Sequence, residues 1–286
     1  MVYRFLRFPE GRAKAVTLSY DDGCRQDIRF SEIISEYGLK CTFNVTSDER
    51  CGSKALTVEQ VRENFLDKGH EIAVHGYMHR AEGLIRPIEG IRDVLKCRME
   101  LESKYDMIIR GMAYPDSGIR RFYNDASYDS IKQYLKELDI AYARTLGSDN
   151  NSFELPTDWH RWMPTAHHDN PLLFDYIDEF LSIDTSVNSY RSTRYPRLFY
   201  MWGHSFEFDK KDNWDRLTHI CEKLSGHEDI WYATNIEIYN YVTAYNSLIY
   251  SADGNTVYNP TLYTVWFDVD GTLFCIRSGE TVKIQA

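Results

Sequence analysis

Apolar residues occur in short runs that alternate with stretches of helical spacing along most of the chain. Short runs rich in β-branched and aromatic residues predict buried strands, and they lie at 15–20, 41–46, 71–76, 107–115, 141–146, 198–204 and 229–234. Spacing of three and four residues predicts helices, and it occurs at 25–37, 58–68, 88–105, 127–138, 171–181 and 212–224. Strands that alternate with helices over short connections are expected to run parallel beneath the helices.

Polar residues at the strand ends bear on two folds that periodicity leaves open, an open doubly wound sheet and a closed (β/α) barrel. The C-terminal ends of four different predicted strands carry Asp21 with Asp22, His75, Tyr114 and His204. Barrel enzymes build their sites at the C-terminal strand ends, and a barrel brings early and late strands to one rim. We therefore predict an α/β fold, a (β/α) barrel of seven or eight units.

The pattern changes after Tyr245 to a period of two, broken by Asp-Gly, Asn-Pro and Ser-Gly pairs. Such pairs are typical of hairpin turns. We predict a barrel over 1–245 and a small antiparallel β appendage over 246–286.

The appendage also contains the string WFDVDGTLF at 266–274, with the D-x-D-G-T motif of haloacid dehalogenase-like phosphatases. In those enzymes Asp268 would be the nucleophile and Asp270 the acid/base. Only 12 residues follow Phe274, too few for the body that such an enzyme needs. A hairpin turn is the better interpretation.

Composition narrows the range of partners. The 286 residues include 33 Lys and Arg against 43 Asp and Glu, a net charge of −10, which argues against duplex nucleic acid or an anionic membrane as a partner. No run approaches the roughly 20 apolar residues that span a bilayer. The N-terminus lacks the apolar core of a secretion signal, and the six cysteines form no C-x-x-C pair, which is typical of reduced thiols. We expect a cytoplasmic protein.

Two adjacent aspartates follow the first predicted strand in TLSYDDG, residues 17–23. Neighbouring carboxylates oppose each other's ionisation, so the pair is costly unless something uses it. A bend at Gly23 would let both carboxylates face one rim in different roles, one as a metal ligand and the other as a base. A solvated turn is the alternative that this segment alone leaves open.

Histidines end two further strands. The segment HGYMH places His75 and His79 four residues apart, so a tight loop can bring both to one cation. Two histidines and one aspartate leave positions open for water and substrate, as in hydrolytic metal centres. His204, in LFYMWGHS, is either a structural residue or a general acid for a leaving amine.

Together these motifs, in their order and spacing over about residues 15–235, resemble the polysaccharide deacetylase family, the NodB homology domain of carbohydrate esterase family 4. The resemblance implies a distorted (β/α) barrel with a divalent metal, most often zinc. It also implies hydrolysis of an N-acetyl group from an amino sugar, which releases acetate and a free amine. Carried over to this chain, Asp22, His75 and His79 would hold the metal, Asp21 would be the base and His204 the acid.

The chain departs from the family where an Arg is expected in the third motif. The segment RGMAYPDSG at 110–118 has Ala113 at that position. The Arg orients the catalytic Asp in the family, so what holds Asp21 here is open. Tyr114 and Pro115 would line the substrate pocket, and main-chain N–H groups from Tyr114 to Asp116 would complete an oxyanion pocket.

The fourth motif of the family contributes a Trp, and WHRWMPTAHHD at 159–169 offers Trp159 or Trp162. The same stretch contains His160, His167 and His168. An extra ligand is one interpretation of these histidines, but we expect them to be exposed loop residues.

Two other functions fit the same residues. One is a carbohydrate-binding barrel with weak or no turnover. The other is a hydrolase of another C–N bond or of an O-acetyl ester, since an Asp–His–His site would serve these equally well. The expected substrate is an acetylated amino sugar or oligosaccharide, and the aromatic appendage offers a contact surface for a homo-oligomer.

Overall fold

The computed structural model describes residues 2–48, 56–146, 150–185 and 194–284. Its strands are β1 (Arg4–Arg7), β2 (Lys14–Asp21), β3 (Cys41–Val45), β4 (Glu71–Val74), β5 (Gly111–Ala113), β6 (Tyr142–Arg144), β7 (Ala166–His167), β8 (Arg197–Gly203), β9 (Ile230–Tyr232), β10 (Ile249–Tyr250), β11 (Thr256–Tyr258), β12 (Val265–Val269), β13 (Thr272–Ile276) and β14 (Thr281–Lys283). Its helices are α1 (Gln26–Glu36), α2 (Val58–Val61), α3 (Pro87–Tyr105), α4 (Tyr128–Glu137), α5 (Leu173–Ser182), α6 (Phe206–Lys211), α7 (Trp214–Leu224) and α8 (Asn235–Asn246).

Parallel pairing joins eight of these strands into one sheet, in the order β6-β5-β4-β3-β2-β8-β7, with β9 also on β2. Strand β2 pairs with β8 along Lys14–Tyr20. On its other edge, β9 pairs with 14–16 and β3 pairs with 18–21. All eight residues of β2 are buried, so the strand that ends in the two aspartates lies at the centre of the fold.

The sheet curls until its outer edges approach each other. The N–H of Trp162 donates to Ala143 O of β6 at 3.1 Å, and the N–H of Thr165 donates to Tyr200 O of β8 at 2.8 Å. The segment between these two donors therefore links the β6 edge to the β8 edge. The distorted (β/α) barrel predicted from the sequence is confirmed.

All seven predicted strands are present, although 107–115 contributes only Gly111–Ala113. Strands β1 and β7 were not predicted. β7 has two residues, which are too few to show a period of two, and β1 belongs to a sheet outside the barrel. The helix predicted at 212–224 begins at Trp214, because Asp212 at φ +48° separates it from α6. The π-helical turn Arg62–Leu66 continues α2, which Thr57 caps.

The C-terminal segment folds into two three-stranded antiparallel sheets, β1-β12-β13 and β10-β11-β14. The N-terminal strand β1 therefore lies in the appendage, where Arg4–Arg7 pairs with 266–269. The predicted hairpin is confirmed, because β12 and β13 pair across Asp270-Gly271. Asp268 is buried and accepts from Arg194 and from the N–H of Gly271. The division at residue 245 stays a prediction.

Two other expectations concern cysteines and membranes. Cys24, Cys41, Cys97, Cys221 and Cys275 form no disulfide within the described ranges, and Cys51 lies outside them. Among the helices of the described residues, none is long and apolar enough to span a bilayer.

Glu82 is a buried carboxylate whose charge opposes folding. Tyr134 donates its hydroxyl to Oε2, but Oε1 has no hydrogen-bond partner. Burial raises the pKa of Glu82 from 4.5 to about 8. Between those values the folded chain keeps a proton that the unfolded chain releases, so stability falls as pH rises. The slope from this one group is about 1.4 kcal/mol per pH unit.

We expect Glu82→Gln to flatten the dependence of unfolding free energy on pH by about that slope between pH ~5 and ~8. Glutamine has the shape of the protonated acid and carries no charge at any of these pH values. Urea unfolding across the pH series measures the slope, with Glu63→Gln, an exposed site, as the control. Equal slopes for Glu82→Gln and the parent would contradict the assignment.

Candidate active site and metal centre

Asp22, His75 and His79 come together at the C-terminal ends of β2 and β4. Asp22 Oδ1 lies 3.3 Å from His79 Nε2 and 3.7 Å from His75 Nε2, and one ligand atom from each residue lies within 4.8 Å of the others. Ligands bound at 2.0–2.2 Å around a tetrahedral cation lie roughly 3.3 Å apart. The spacing and the donor set therefore fit a divalent metal.

A tight turn after β2 presents the aspartates. Asp22 has φ +82° and Gly23 has φ +66°. A residue other than glycine in this region costs about 1–3 kcal/mol, a kind of strain found most often at functional sites. The turn breaks the strand alternation that would point Asp21 and Asp22 to opposite faces, and both carboxylates reach His75 Nε2, at 3.9 and 3.7 Å.

The loop after β4 carries both imidazoles. Gly76 has φ +75°, and a Cβ there would lie 2.7 Å from Asp93 Oδ2. The Asp93 carboxylate accepts from the N–H groups of Tyr77 and Met78, each at 2.8 Å, and so holds the loop. His75 Nδ1 donates to the carbonyl of Ala113 at 2.9 Å. This bond directs Nε2 of His75 toward the cation position.

The two imidazoles differ in their environment. Burial lowers the pKa of His75, and Asp21 and Asp22 offset this only in part; a neutral imidazole is the form that binds metal. The hydrogen bond with Asp22 raises the pKa of His79. Burial alone would raise the pKa of Asp22, but His79, His75 and His204 together lower it.

Arg144 binds Asp21. Its Nη2 donates to Asp21 Oδ2, both side chains are buried, and Asp21 Oδ1 accepts from Asn44 Nδ2 at 2.9 Å. Arg144 ends β6, where it is the register partner of Ala113 on β5. The guanidinium missing from the third motif therefore arrives from the neighbouring strand. In the sequence, Arg144 reads as an interior position of the strand AYARTL.

His204 follows β8 and faces Glu207 of α6. His204 Nδ1 lies 3.6 Å from Glu207 Oε2. Burial lowers the pKa of His204, but Glu207 and the charges of Asp21 and Asp22 outweigh it and raise the pKa above the usual value. Glu207 itself lies close to three histidines, His167, His168 and His204, and their influence overcomes burial and lowers its pKa.

Trp202 is an aromatic wall that the sequence motifs did not reveal. The Arg144 guanidinium carbon lies 4.5 Å from the centre of its ring, and the ring centres of His167 and His204 lie 4.7 and 5.9 Å away. Trp202 thus lies between the arginine that binds Asp21 and the candidate acid. It was counted as one apolar residue of a strand, since nothing in the local pattern separates a rim tryptophan from a core one.

Tyr114 and Pro115 are both buried. The Tyr114 hydroxyl donates to His160 O, and its N–H donates to Arg144 O at 3.0 Å. Because proline has no N–H, Asp116 is the residue of the predicted oxyanion segment whose amide could face a substrate. Substrate contact by Tyr114 and Pro115 stays a prediction.

The two candidate tryptophans pack on one another, with ring centres 4.9 Å apart. Trp162 is buried against Tyr142 and Tyr200, and Trp159 also contacts Tyr239 of α8. These contacts lie in an apolar cluster that does not include Asp22, His75 or His79, and a substrate role for either tryptophan stays a prediction. The expected exposure of the loop histidines is wrong, because His160 and His168 are buried.

Asp21, Asp22, His75, His79 and His204 thus share one rim of the barrel, although the roles assigned to them stay predictions. The polysaccharide deacetylase family model matches residues 9–143. This match confirms the family resemblance for that part of the chain, which includes the first four of these residues. Arg144 and His204 follow the matched stretch. No curated protein sequence matches the chain.

Three solved structures resemble the chain to different degrees. One, from Mycobacterium smegmatis and described as a polysaccharide deacetylase, is 15% identical, covers 86% of this chain and 96% of its own, and has a TM-score of 0.58. An allantoinase is 11% identical over 82% of this chain and 91% of its own, with a TM-score of 0.56. A Streptococcus pyogenes deacetylase in complex with acetate is 22% identical over 46% of this chain and 55% of its own, with a TM-score of 0.39. At these identities the first two structures, whose TM-scores exceed 0.5, show the barrel fold alone.

If His204 is the general acid, Glu207→Gln should move the alkaline limb of the rate–pH profile to lower pH. A general acid works only while protonated, so activity falls as pH rises through its pKa. Removing the Glu207 charge takes away the main contribution that raises the pKa of His204. The profile of kcat/KM at one metal ion per chain measures the shift, with Glu222→Gln, exposed on α7, as the control. An unmoved limb would mean that Glu207 does not set the pKa of His204.

Proposed function

We propose that this chain is a metal-dependent deacetylase that hydrolyses the N-acetyl group of an amino sugar or related carbohydrate. The polysaccharide deacetylase match supports a deacetylase. The observation that carries the proposal further is one rim that combines the Asp22–His75–His79 group with an arginine-bound carboxylate and a separate histidine–glutamate pair.

Zinc is the metal we propose for Asp22, His75 and His79, because two imidazoles and one carboxylate form a typical donor set for catalytic zinc. When bound, it would supply a Lewis acid that polarises the acetyl carbonyl and acidifies water. The aspartate and the two histidines leave the rest of a four-coordinate shell to water and substrate.

Asp21 is the proposed base. Arg144 and Asn44 occupy the two carboxylate oxygens from the interior, so the side chain has one fixed orientation, with Oδ2 also 3.9 Å from His75 Nε2. A carboxylate held at the rim takes the proton of the attacking water without first having to reorient.

His204 is the proposed acid, and it favours an amide over an ester. An amine leaves readily only after its nitrogen is protonated, whereas an alcohol needs less help. The raised pKa of His204 keeps a proton available on this side chain. Trp202, partly exposed at the same rim, has an aromatic ring of the kind that packs against the apolar side of a sugar.

Acetate release tests the proposal against its alternatives. The protein is stripped with a chelator, reloaded with zinc, and assayed on N-acetylglucosamine oligomers, O-acetylated xylo-oligomers and a cyclic ureide. We expect acetate from the N-acetyl oligomers, loss of release on chelation, recovery with zinc, and no activity or metal at this site in His79→Ala. His219→Ala, which alters an exposed histidine, is the matched control.

Each alternative has its own outcome. Oligomer binding without acetate release would support a carbohydrate-binding barrel. Ring opening of the ureide without acetate would support a cyclic amidase, and faster release from the O-acetyl oligomers would support an esterase. Full acetate release by chelated protein would overturn metal dependence.

A further inference from the structure

A second group of metal-ligating side chains lies between the end of β7 and the start of α6. His167 Nε2 and His168 Nε2 lie 3.1 and 3.2 Å from Glu207 Oε2, and His168 Nε2 lies 3.3 Å from Asp169 Oδ2. One ligand atom from each of these four residues lies within 4.8 Å of the others. We propose that His167, His168, Asp169 and Glu207 bind a second divalent cation, separate from the Asp22–His75–His79 group.

The orientation of the atoms supports a shared cation over a hydrogen-bonded cluster. His168 Nε2 and Glu207 Oε2 are buried without a hydrogen-bond partner, although each has the other as a close neighbour. Ligands of one tetrahedral ion lie roughly 3.3 Å apart and point at the ion, not at one another. Buried polar atoms nearly always have a hydrogen-bond partner or a bound ion. These two atoms have no hydrogen-bond partner, which supports a cation as the group that they would share.

The other ring nitrogen of His168, Nδ1, also has a contact that fixes the orientation of the ring. Its Nδ1 lies 3.1 Å from the Tyr20 hydroxyl, the outer contact that orients a metal-binding imidazole. Gly203 leaves room for the ring, because a Cβ there would lie 1.9 Å from His168 Nδ1. His168 is fully buried, so Nε2 can point only into the cluster.

Lys211 and His167 make the contacts with Asp169 that a bound ion would change. Lys211 Nζ binds Asp169 Oδ2, and this half-exposed lysine supplies positive charge beside the two carboxylates. His167 Nδ1 accepts from the Asp169 N–H at 3.1 Å, which places the His167 proton on Nε2. An ion would displace that proton, as metal binding to histidine does, and the contact to the Asp169 N–H would loosen.

Two imidazoles and two carboxylates form a complete four-coordinate set. This group therefore resembles a closed site that holds its ion with protein ligands, whereas the three-residue group leaves room for substrate. Glu207 Oε2 also lies 3.6 Å from His204 Nδ1. Glu207 would therefore be both a ligand of this ion and the neighbour of the candidate acid His204. Binding at this site does not depend on the proposed function.

Metal content tests the site directly. Stripped protein is equilibrated with zinc alone, dialysed and measured by elemental analysis. We expect two ions per chain in the parent and one in Asp169→Asn, His168→Ala or Asp22→Ala. The variant with both Asp22→Ala and Asp169→Asn should hold none. Lys211→Met should bind the second ion more tightly, because a competing cation is removed.

The controls separate folding from binding. His219→Ala, exposed on α7, should keep both ions. His168 is buried, so its variant is accepted only if its thermal transition matches the parent, and Asp169→Asn, at the partly exposed edge, gives the answer if it does not. One ion in the parent that Asp169→Asn retains, or two ions retained in Asp169→Asn, would overturn the second site. Two bound ions with no acetate release would instead overturn the proposed function.

Discussion

Replacing Arg144 by alanine is expected to destabilise the chain by roughly 3–5 kcal/mol and to remove most of its hydrolytic activity. The substitution leaves the Asp21 carboxylate buried without its cation, and breaking a buried pair from one side costs about that much. Asp21 also loses the contact that fixes its orientation, and a mispositioned base loses about 10²-fold in rate. Urea unfolding and kcat of the metal-loaded protein measure the two effects.

The matched control is Arg110→Ala. Arg110 pairs with Asp139 at the surface, where an ion pair contributes about 1 kcal/mol or less. A relocation variant is more specific. Because Ala113 and Arg144 are register partners, Ala113→Arg in the Arg144→Ala background should recover part of the lost rate. Full activity in Arg144→Ala would show that Asp21 needs no arginine.

Asp21→Asn is expected to lower turnover by about 10²–10⁴ while the metal stays bound. The amide keeps the shape of the carboxylate but cannot accept the proton of water. Asp21 is not among the three proposed ligands, so the metal content should remain at the parent level. Initial rates of acetate release and elemental analysis on the same preparation measure both quantities.

Asp129→Asn is the control for this substitution, since Asp129 is an exposed aspartate on α4 with no proposed role in the site. It should retain close to the parent rate. Near-parent turnover in Asp21→Asn would assign the base to another group. Loss of metal would make Asp21 a ligand.

The sequence predicted the parts of the site that follow from strand ends. Asp22 and His75 lie at the ends of apolar runs, with His79 four residues after His75, and parallel strands place their C-terminal ends on one rim. Their convergence needed only the correct order of elements. The turn at Asp22 was also foreseeable, because Gly23 follows it and strand alternation had to break there.

Arg144 could not be found in the same way. Its contact with Asp21 depends on the register between β5 and β6, which packing sets across strands that are distant in sequence. Glu207 was missed for a related reason, since α6 is a single short helix whose orientation decides that its carboxylate faces His204. The local pattern of apolar and polar residues contains no information about either contact.

The exposure of His168 was predicted wrongly because β7 is too short to recognise. Two residues in a ladder give no alternation, so the stretch was interpreted as a loop. In the barrel it is a wall segment that buries His168 against Tyr20. In strands of two residues that complete a barrel wall, the sequence pattern therefore does not predict whether a polar side chain is buried or exposed.

The pairing of Ala113 with Arg144 bears on how functional templates are written. Alignment columns assign a charged group to one strand, yet the side chain needs only to arrive at a given point in space. Register partners on adjacent parallel strands lie close together, so a long, flexible side chain can reach the same point from either strand. A template that specifies where the guanidinium arrives, with no condition on the strand of origin, would accept this chain without a mismatch.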